Sequence, residues 1–287
     1  MQIQTPDIFK PSPNFPTYPP YHQGLYLEDY FIKYWKDLEI ECEREFIAVS
    51  WTSYYNNGCD RNMLQSYLNG LDKSKKYFVV CQHDDAPSEM LPPDTLIFSA
   101  GGNVTGKNVI PIPLVCSPIP NNVSYTKDIF CSFVGSTTHP SREINYSSYA
   151  IRQKLYQKYK DVFYFNQDTW QSQVSSNKLN NFIEMTSRSK FALAPRGYGP
   201  TSFRLYEIMQ LNCVPVYVSD RHYLPWSDEL DWNEFCVLIN SNQILNLENI
   251  LESIDNDTYN RMITKLNHVY EKYFTLESIC QLIIRRL

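Results

Sequence analysis

The sequence predicts an α/β protein built from two Rossmann-like, doubly wound parallel-sheet domains. Two observations carry that expectation. Apolar runs of strand length alternate with segments of helical spacing, once in each half of the chain. Between the two series stands a link punctuated by Pro111, Pro113, Pro118 and Pro120 and followed by Asn121 and Asn122. A length of 287 residues also exceeds a typical single domain.

Taken in order, a proline-rich start (MQIQTPDIFKPSPNFPTYPPY) is expected to wrap over the surface. It leads into GLYLEDYFIKYWKDL, whose apolar and aromatic residues recur at helical spacing. EFIAVSW, KYFVVCQ, TLIFSA and NVIPIPLV read as strands, with RNMLQSYLNGLDK as a helix that stops near Gly70. The second half reads more clearly. DIFCSFVGS, DVFYFN, KFALAP, VPVYVS and FCVLIN are expected strands, and SYAIRQKLYQKY, NKLNNFIEMTSR and TSFRLYEIMQLN the helices between them. From about Gln243 onward no strand pattern remains, and two or three amphipathic helices are expected. The boundaries expected are 1–120 for a first domain, 121–265 for a second, and 266–287 for a final helix that packs back on the first domain.

Composition narrows the function. Lys and Arg number 26 against 31 Asp and Glu, a net charge of -5, without the basic excess that binding to a phosphate backbone requires; nucleic acid is not an expected partner. Apolar residues make up 43% and charged residues 20%, so real cores can form. The N-terminal segment is too polar for a secretory signal, and no apolar run approaches the ~18 residues of a membrane-spanning helix. Eight cysteines are scattered without a C-x-x-C pair, as expected of reduced, buried thiols in a cytoplasmic protein. Four N-x-[ST] sequons, at Asn103, Asn122, Asn145 and Asn256, are then expected to stay unglycosylated. Tyrosine is abundant, at 22 residues; its rings suit sugar faces and equally well fill cores.

Two α/β domains leave a cleft, and open parallel sheets bind ligands beyond the carboxyl ends of their strands. The stretch Lys190 to Asp220 has that form. After KFALAP come Arg196, Gly197, Tyr198, Gly199 and Pro200, then a helix beginning near Thr201 and Ser202. A strand, a glycine-containing turn and a helix start make a phosphate cradle of exposed N–H groups. Neither G-x-G-x-x-G nor a P-loop lysine is present, which excludes the common dinucleotide and ATP fingerprints and disfavours an epimerase. Thr201 or Ser202 caps the helix or donates to a phosphate oxygen. Arg204 and Glu207, three residues apart, share one helix face; they form a surface ion pair, or they serve a diphosphate and the ribose hydroxyls respectively. The one D-x-D triplet, Asp255 to Asp257, lies between tail helices and reads as a cap. No zinc-type ligand cluster is visible.

KFALAPRGYGPTSFRLYEIMQLNCVPVYVSDRHYLPWSDELDWNEFCVLI resembles the signature of exostosin-type glycosyltransferases, family 47. FVGSTTHPSREINYSSYAIRQKL is similar to the family's F-x-G segment with later arginines, CQHDDAP to its H-D element, and HQGLYLEDYF to its N-terminal pattern. The likeness runs from about His22 to Ile239. No Golgi anchor is visible and the chain is short, as in compact, unanchored bacterial and viral forms, which leaves the acceptor open and implies the host cytoplasm if the chain is viral. The resemblance implies the GT-B fold, a UDP-sugar donor, a glycan acceptor, and inversion at the anomeric centre without a required metal or other cofactor. Among the family's donor sugars (xylose, galactose, glucuronic acid, arabinose, N-acetylglucosamine), xylose is preferred, because no surplus of carboxylate-binding residues stands out.

For the leaving diphosphate we expect Arg196, Arg204 and Arg142 or Arg152, with the backbone of Gly135 and Ser136 and the turn from Gly197 through Tyr198 and Gly199 to Thr201 and Ser202; Glu207 would take the ribose. The expected base is Asp84, which follows the strand KYFVVCQ, with His83 the alternative. His22 and Glu28 are expected on the acceptor side, Glu28 also as a reserve base. A catalytically silent carbohydrate-binding or nucleotide-sugar-binding protein on the same fold is the competing reading.

Overall fold

Lys76–Cys81 illustrates how the first sheet is buried. In the computed structural model, which describes residues 5–12, 26–38, 40–119, 125–141, 149–171 and 174–287, this strand is covered on both faces. Side chains alternate across a strand. Tyr77, Val79 and Cys81 therefore share a core with Trp51, Tyr54, Leu64 and Leu68, while Phe78 meets Trp35 at 5.1 Å and Phe46 at 4.8 Å between ring centroids. Such two-sided burial explains why the strand reads as a continuous apolar run.

The chain divides into two units, Met1–Ser117 with Thr275–Leu287, and Pro118–Phe274. Unit 1 holds β1 (Arg44–Phe46), β2 (Lys76–Cys81), β3 (Leu96–Ser99) and β4 (Val109–Pro111), all parallel and in the order 1-2-3-4. Its helices are α1 (Leu27–Lys36), α2 (Trp51–Asn56) and α3 (Arg61–Asn69), with α9 (Leu276–Arg285) from the C-terminus packing on α1. Asp60 caps α3 by accepting from Asn62 N and Met63 N at 2.9 and 3.2 Å. The expected strand EFIAVSW is cut short. Pairing ends after Ile47, whose N–H donates to Phe78 O, and Trp51 already opens α2, filling the core as a helical residue.

Unit 2 holds β5 (Ile129–Thr138), β6 (Tyr164–Thr169), β7 (Ser189–Pro195), β8 (Val214–Ser219) and β9 (Val237–Asn240), again all parallel. The helices are α4 (Ala150–Tyr159), α5 (Ser176–Arg188), α6 (Phe203–Met209), α7 (Leu247–Glu252) and α8 (Asn256–Tyr273). The strand order β6-β5-β7-β8-β9 reverses direction between β5 and β7. In doubly wound sheets that reversal is where the loops diverge and leave room for a ligand. Unit 1 has no such reversal among its described strands.

The two parallel α/β sheets with flanking helices match the fold class expected. The units divide after Ser117 rather than 120. The last segment begins at Thr275 rather than 266, because α8 runs unbroken from Asn256 to Tyr273 and its Leu266 and Val269 are buried. Asp255 caps α8 by accepting from Thr258 N at 2.7 Å, as its D-x-D reading required. Six of the eight thiols are buried; Cys42 and Cys59 are only partly so. Among the described residues no helix is long and apolar enough to cross a membrane.

Candidate functional site

The carboxyl ends of β5 and β7 are tied together by one side chain. Arg152, from the first turn of α4, donates from Nε to Arg196 O at 2.9 Å, from Nη1 to Ser136 O at 2.9 Å, and from Nη2 to Pro195 O at 3.2 Å and Ser202 Oγ at 3.3 Å. Its guanidinium lies 4.6 Å from the centroid of the Tyr149 ring. Only 8% of the residue is exposed, so its planar fork is committed to the protein. The sequence expected Arg142 or Arg152 on the diphosphate. The structure makes Arg152 a clamp that holds the switch point open in one geometry.

Beyond this clamp the turn after β7 is closed by Gly197 N–H donating to Thr201 O at 2.8 Å. Tyr217 and Ser219, at the end of β8, both donate to Pro200 O, at 2.6 and 3.2 Å. Arg196 folds over its own turn, donating to Tyr198 O at 2.8 Å and pairing with Asp220 at 2.5 Å. Burial works against ionisation of Asp220, yet the Arg196 hydrogen bond and charge hold its carboxyl below the usual range. Ser202 accepts from Arg204 N at 3.3 Å and so caps α6. Thr201 is 2% exposed, and its Oγ1 has no hydrogen-bond partner among the described residues. A buried hydroxyl left without a partner costs about 1–3 kcal/mol, which a bound oxygen would relieve.

Arg204 is the least enclosed of the three arginines, its side chain 22% exposed against 13% for Arg196. It rises from α6, lies 3.8 Å over the ring of Phe182 on α5, and pairs with Glu207 at 3.3 Å. Gly135 makes room for it. A Cβ at that position would stand 3.2 Å from Arg204 Nη2 and 3.4 Å from Phe133 Cζ. Gly135, Ser136, Arg196, Gly197, Thr201, Ser202, Arg204 and Glu207 thus gather at the β5/β7 reversal, with three guanidinium groups against the carboxylates of Glu207 and Asp220. Tyr198 is exposed there at 41%, and Gly199 is buried in the turn. Arg142 lies outside the described residues. Sequence reasoning missed Phe182 and Tyr149, the aromatic supports of two arginines. Phe182 lies outside the quoted motifs and meets Arg204 from another helix; Tyr149 lies within the F-x-G segment, three residues before Arg152, but nothing in that pattern marks its ring as the support of the guanidinium.

In unit 1 the segment after β2 turns sharply. Ala86 N–H donates to His83 O at 3.4 Å, and Asn103 N–H to Asp84 O at 3.1 Å. Gly101, which follows β3, lies against this turn. A Cβ there would fall 2.3 Å from Asp84 Cα and 2.6 Å from His83 O, so only glycine lets the two loops touch. Asn103 also donates to Asp85 Oδ1 at 2.8 Å. Asp84 therefore sits at the carboxyl end of the sheet on a backbone fixed from both sides. His83 accepts from Asp85 N–H at Nδ1 and packs edge-on against Tyr55, 5.0 Å between centroids. Burial lowers its proton affinity below the ordinary histidine range.

Glu28 corrects another expectation. Its side chain is fully buried, Oε1 accepts from Thr52 N at 2.6 Å, and Oε2 accepts from Gln82 N at 3.0 Å. Leu27 N–H donates to Gln82 Oε1 at 3.1 Å. Glu28 ties α1 to the start of α2 and the end of β2 and has no open face for an acceptor. Burial raises its pKa, and the neighbouring Asp29 adds to the shift. His22 lies outside the described residues.

Over 96 residues the chain is 35% identical to a probable glycosyltransferase of Arabidopsis thaliana, covering 33% of this chain and 20% of that one. It is 32% identical over 92 residues to the exostosin-1 homolog of Caenorhabditis elegans, covering 32% and 24%. With a probable glucuronosyltransferase of Oryza sativa subsp. japonica it shares 29% identity over 130 residues, covering 45% and 30%. The chain thus spans between a fifth and a third of the length of these relatives. A crystal structure of a pneumococcal O-GlcNAc transferase with UDP and GlcNAc superposes with a TM-score of 0.41 at 11% identity, covering 86% of this chain and 49% of that one, a likeness too slight to build on. The Exostosin GT47 domain matches residues 52–254, a span that holds the Asp84 turn and the whole β5/β7 reversal, and the chain belongs to that family.

Proposed function

We propose that this protein is an inverting glycosyltransferase that moves a sugar, xylose by preference, from a UDP-sugar to a hydroxyl of a glycan acceptor, without a metal ion. The observation that carries the donor half is the β5/β7 reversal, where Arg204 stands over Gly135 and the following turn buries the Thr201 hydroxyl without a partner among the described residues. Arg204 supplies charge to the diphosphate, Thr201 and the turn N–H groups its hydrogen bonds, and Glu207 takes the ribose hydroxyls. Arg152 and Arg196 fix the turn that presents them.

In the transfer, the acceptor O–H bond breaks and its proton passes to Asp84. The acceptor oxygen bonds to the anomeric carbon, and the C–O bond to UDP breaks with its electron pair leaving on the diphosphate. General-base help of this kind contributes about 10²–10⁴-fold. Fixed cations on the departing diphosphate are the second large contribution.

Calorimetric titration with UDP, then with UDP-xylose, UDP-galactose, UDP-glucuronic acid, UDP-arabinose and UDP-N-acetylglucosamine, tests the donor reading; the rice relative, a probable glucuronosyltransferase, brings the glucuronic acid donor to the front of that panel alongside xylose. UDP release with simple glycosides then tests transfer. Turnover abolished by EDTA and restored by manganese would overturn the metal-free mechanism. Binding of UDP-sugars without turnover on any acceptor would leave a silent nucleotide-sugar-binding protein.

A further inference from the structure

The turn that carries Asp84 also settles what His83 can do. Asp85 donates its backbone N–H to His83 Nδ1 at 3.1 Å. A backbone amide can only donate, so Nδ1 holds a lone pair and the ring proton of neutral His83 resides on Nε2. Asn103 holds the Asp85 carboxylate, and Gly101 holds the backbone of the turn, so the amide cannot swing away. The other wall is equally fixed. Tyr55, against which the imidazole packs, donates from its hydroxyl to Glu89 Oε2 at 2.5 Å and accepts from Ser88 N at 3.0 Å. Arg61 covers the Tyr55 ring at 4.4 Å and binds Glu89 at 2.8 Å and the Ser88 hydroxyl. The Glu89 side chain is 3% exposed, whereas that of Arg61 is 52% exposed, so the carboxylate is out of solvent and the guanidinium covers it from the surface. Nε2 itself has no partner among the described residues and is not sealed off, while the residue as a whole is half-buried.

We propose that His83 is a neutral, oriented Nε2–H donor to an oxygen of the acceptor, and does not take the acceptor's proton. The proposal rests on the glycosyl-transfer reading above with Asp84 as base. It removes the alternative in which His83 is the base, because the nitrogen open to substrate already carries the proton. The charged groups facing the ring agree. Burial lowers its proton affinity, the Asp85 carboxylate pulls the other way, and Arg61 opposes a second positive charge. Tyr55 and Glu89 are positioning residues, acting through the ring they hold.

Long-range nitrogen–proton NMR of the histidine rings, assigned with His83→Gln, reads the tautomer directly. The Nε2–H form is expected across neutral pH; an Nδ1–H form or an imidazolium at pH 7 would overturn the proposal. The kinetic test uses two amides. Gln places an N–H near the position of Nε2, whereas Asn reaches only to Nδ1, so Asn keeps the turn but lacks the outer donor. His83→Asn should raise the acceptor KM or lower kcat by about tenfold, the effect of one lost hydrogen bond. His83→Gln should recover most of that loss, with the acid limb of the pH profile unmoved in both. A fall of about 10²–10⁴-fold in both variants, with the acid limb abolished, would make His83 the base. His83→Asn as active as wild type would sink the acceptor contact alone. A wild-type protein that transfers no sugar would sink the glycosyl-transfer reading, and the acceptor contact with it, while the NMR result still fixes the tautomer.

Discussion

Replacing Arg152 by Lys separates a clamp from a ligand. The guanidinium makes four hydrogen bonds, three of them to backbone carbonyls at the ends of β5 and β7. A lysine ammonium keeps the charge but is a point donor on a flexible stem, and it reaches one or two of those four acceptors. Two carbonyls are then left buried and unpaired, at about 1–3 kcal/mol each before partial relaxation. We expect a loss of roughly 2–4 kcal/mol, which for a unit of this size lowers Tm by about 5–15 °C. Differential scanning calorimetry with and without UDP measures it. Affinity for UDP at a temperature where the variant is folded should fall only about threefold, through a loosened turn. If Tm is unchanged while UDP binding weakens tenfold or more, Arg152 touches the diphosphate and the clamp argument is wrong.

Three further outcomes follow from the same geometry. Arg204→Ala should weaken UDP binding by about 10–100-fold, the loss of one or two charge-assisted hydrogen bonds, with little change in Tm because the side chain is partly open; equal UDP affinity by calorimetry would remove Arg204 from the donor site. Gly101→Ala forces a Cβ to within 2.3 Å of Asp84 Cα, so the turn must move, at about 1–3 kcal/mol and with loss of transfer but retention of UDP binding; parallel losses of both would show general unfolding instead. Glu28 binds its proton more tightly folded than unfolded, so its contribution to stability is fully present below about pH 4.3 and is lost as pH rises through the folded pKa. Glu28→Gln should be less stable than wild type, since one backbone N–H then faces an amide NH₂, but the stability gap should narrow as pH rises; urea midpoints that diverge in that direction would contradict the burial argument.

What the sequence revealed follows from how each element is stabilised. β8 was legible to the residue, since VPVYVS is buried along its whole length and bounded by turn residues. β1 was not, because Val49 and Trp51 are as apolar as strand residues and only the tertiary core decides that Trp51 begins a helix. In the site, the residues that gather at β5 and β7 were visible as a local pattern of glycines, hydroxyls and arginines. Their division of labour was not, for Arg152 and Arg204 differ only in what surrounds them: carbonyl oxygens in one case, Gly135 and the Phe182 ring in the other. Glu28 was misread for the same reason. An acidic residue on an amphipathic helix gives no sign that two distant backbone amides, Thr52 and Gln82, will claim both of its oxygens.

The two units place their candidate residues by different means. In unit 2 the strand order itself opens a space between β5 and β7, and the protein needs only to keep it from collapsing, which the Arg152 bonds to Ser136, Pro195 and Arg196 do. In unit 1 the order 1-2-3-4 opens no such space. The turn at His83 and Asp84 must instead be shaped by loop contacts: Gly101 beneath it, Asn103 on Asp85, and the Tyr55–Glu89–Arg61 brace beside it. A site made by topology tolerates changes in the loops around it better than a site made by loops. Substitutions at residues 83–85 and 88–90, which are half-buried or exposed, should therefore cost activity at smaller cost in Tm than substitutions at the ends of β5 and β7, where the clamp is part of the core; a scan reading both quantities, with the opposite ranking, would show that the His83–Asp84 turn is held by something other than these contacts.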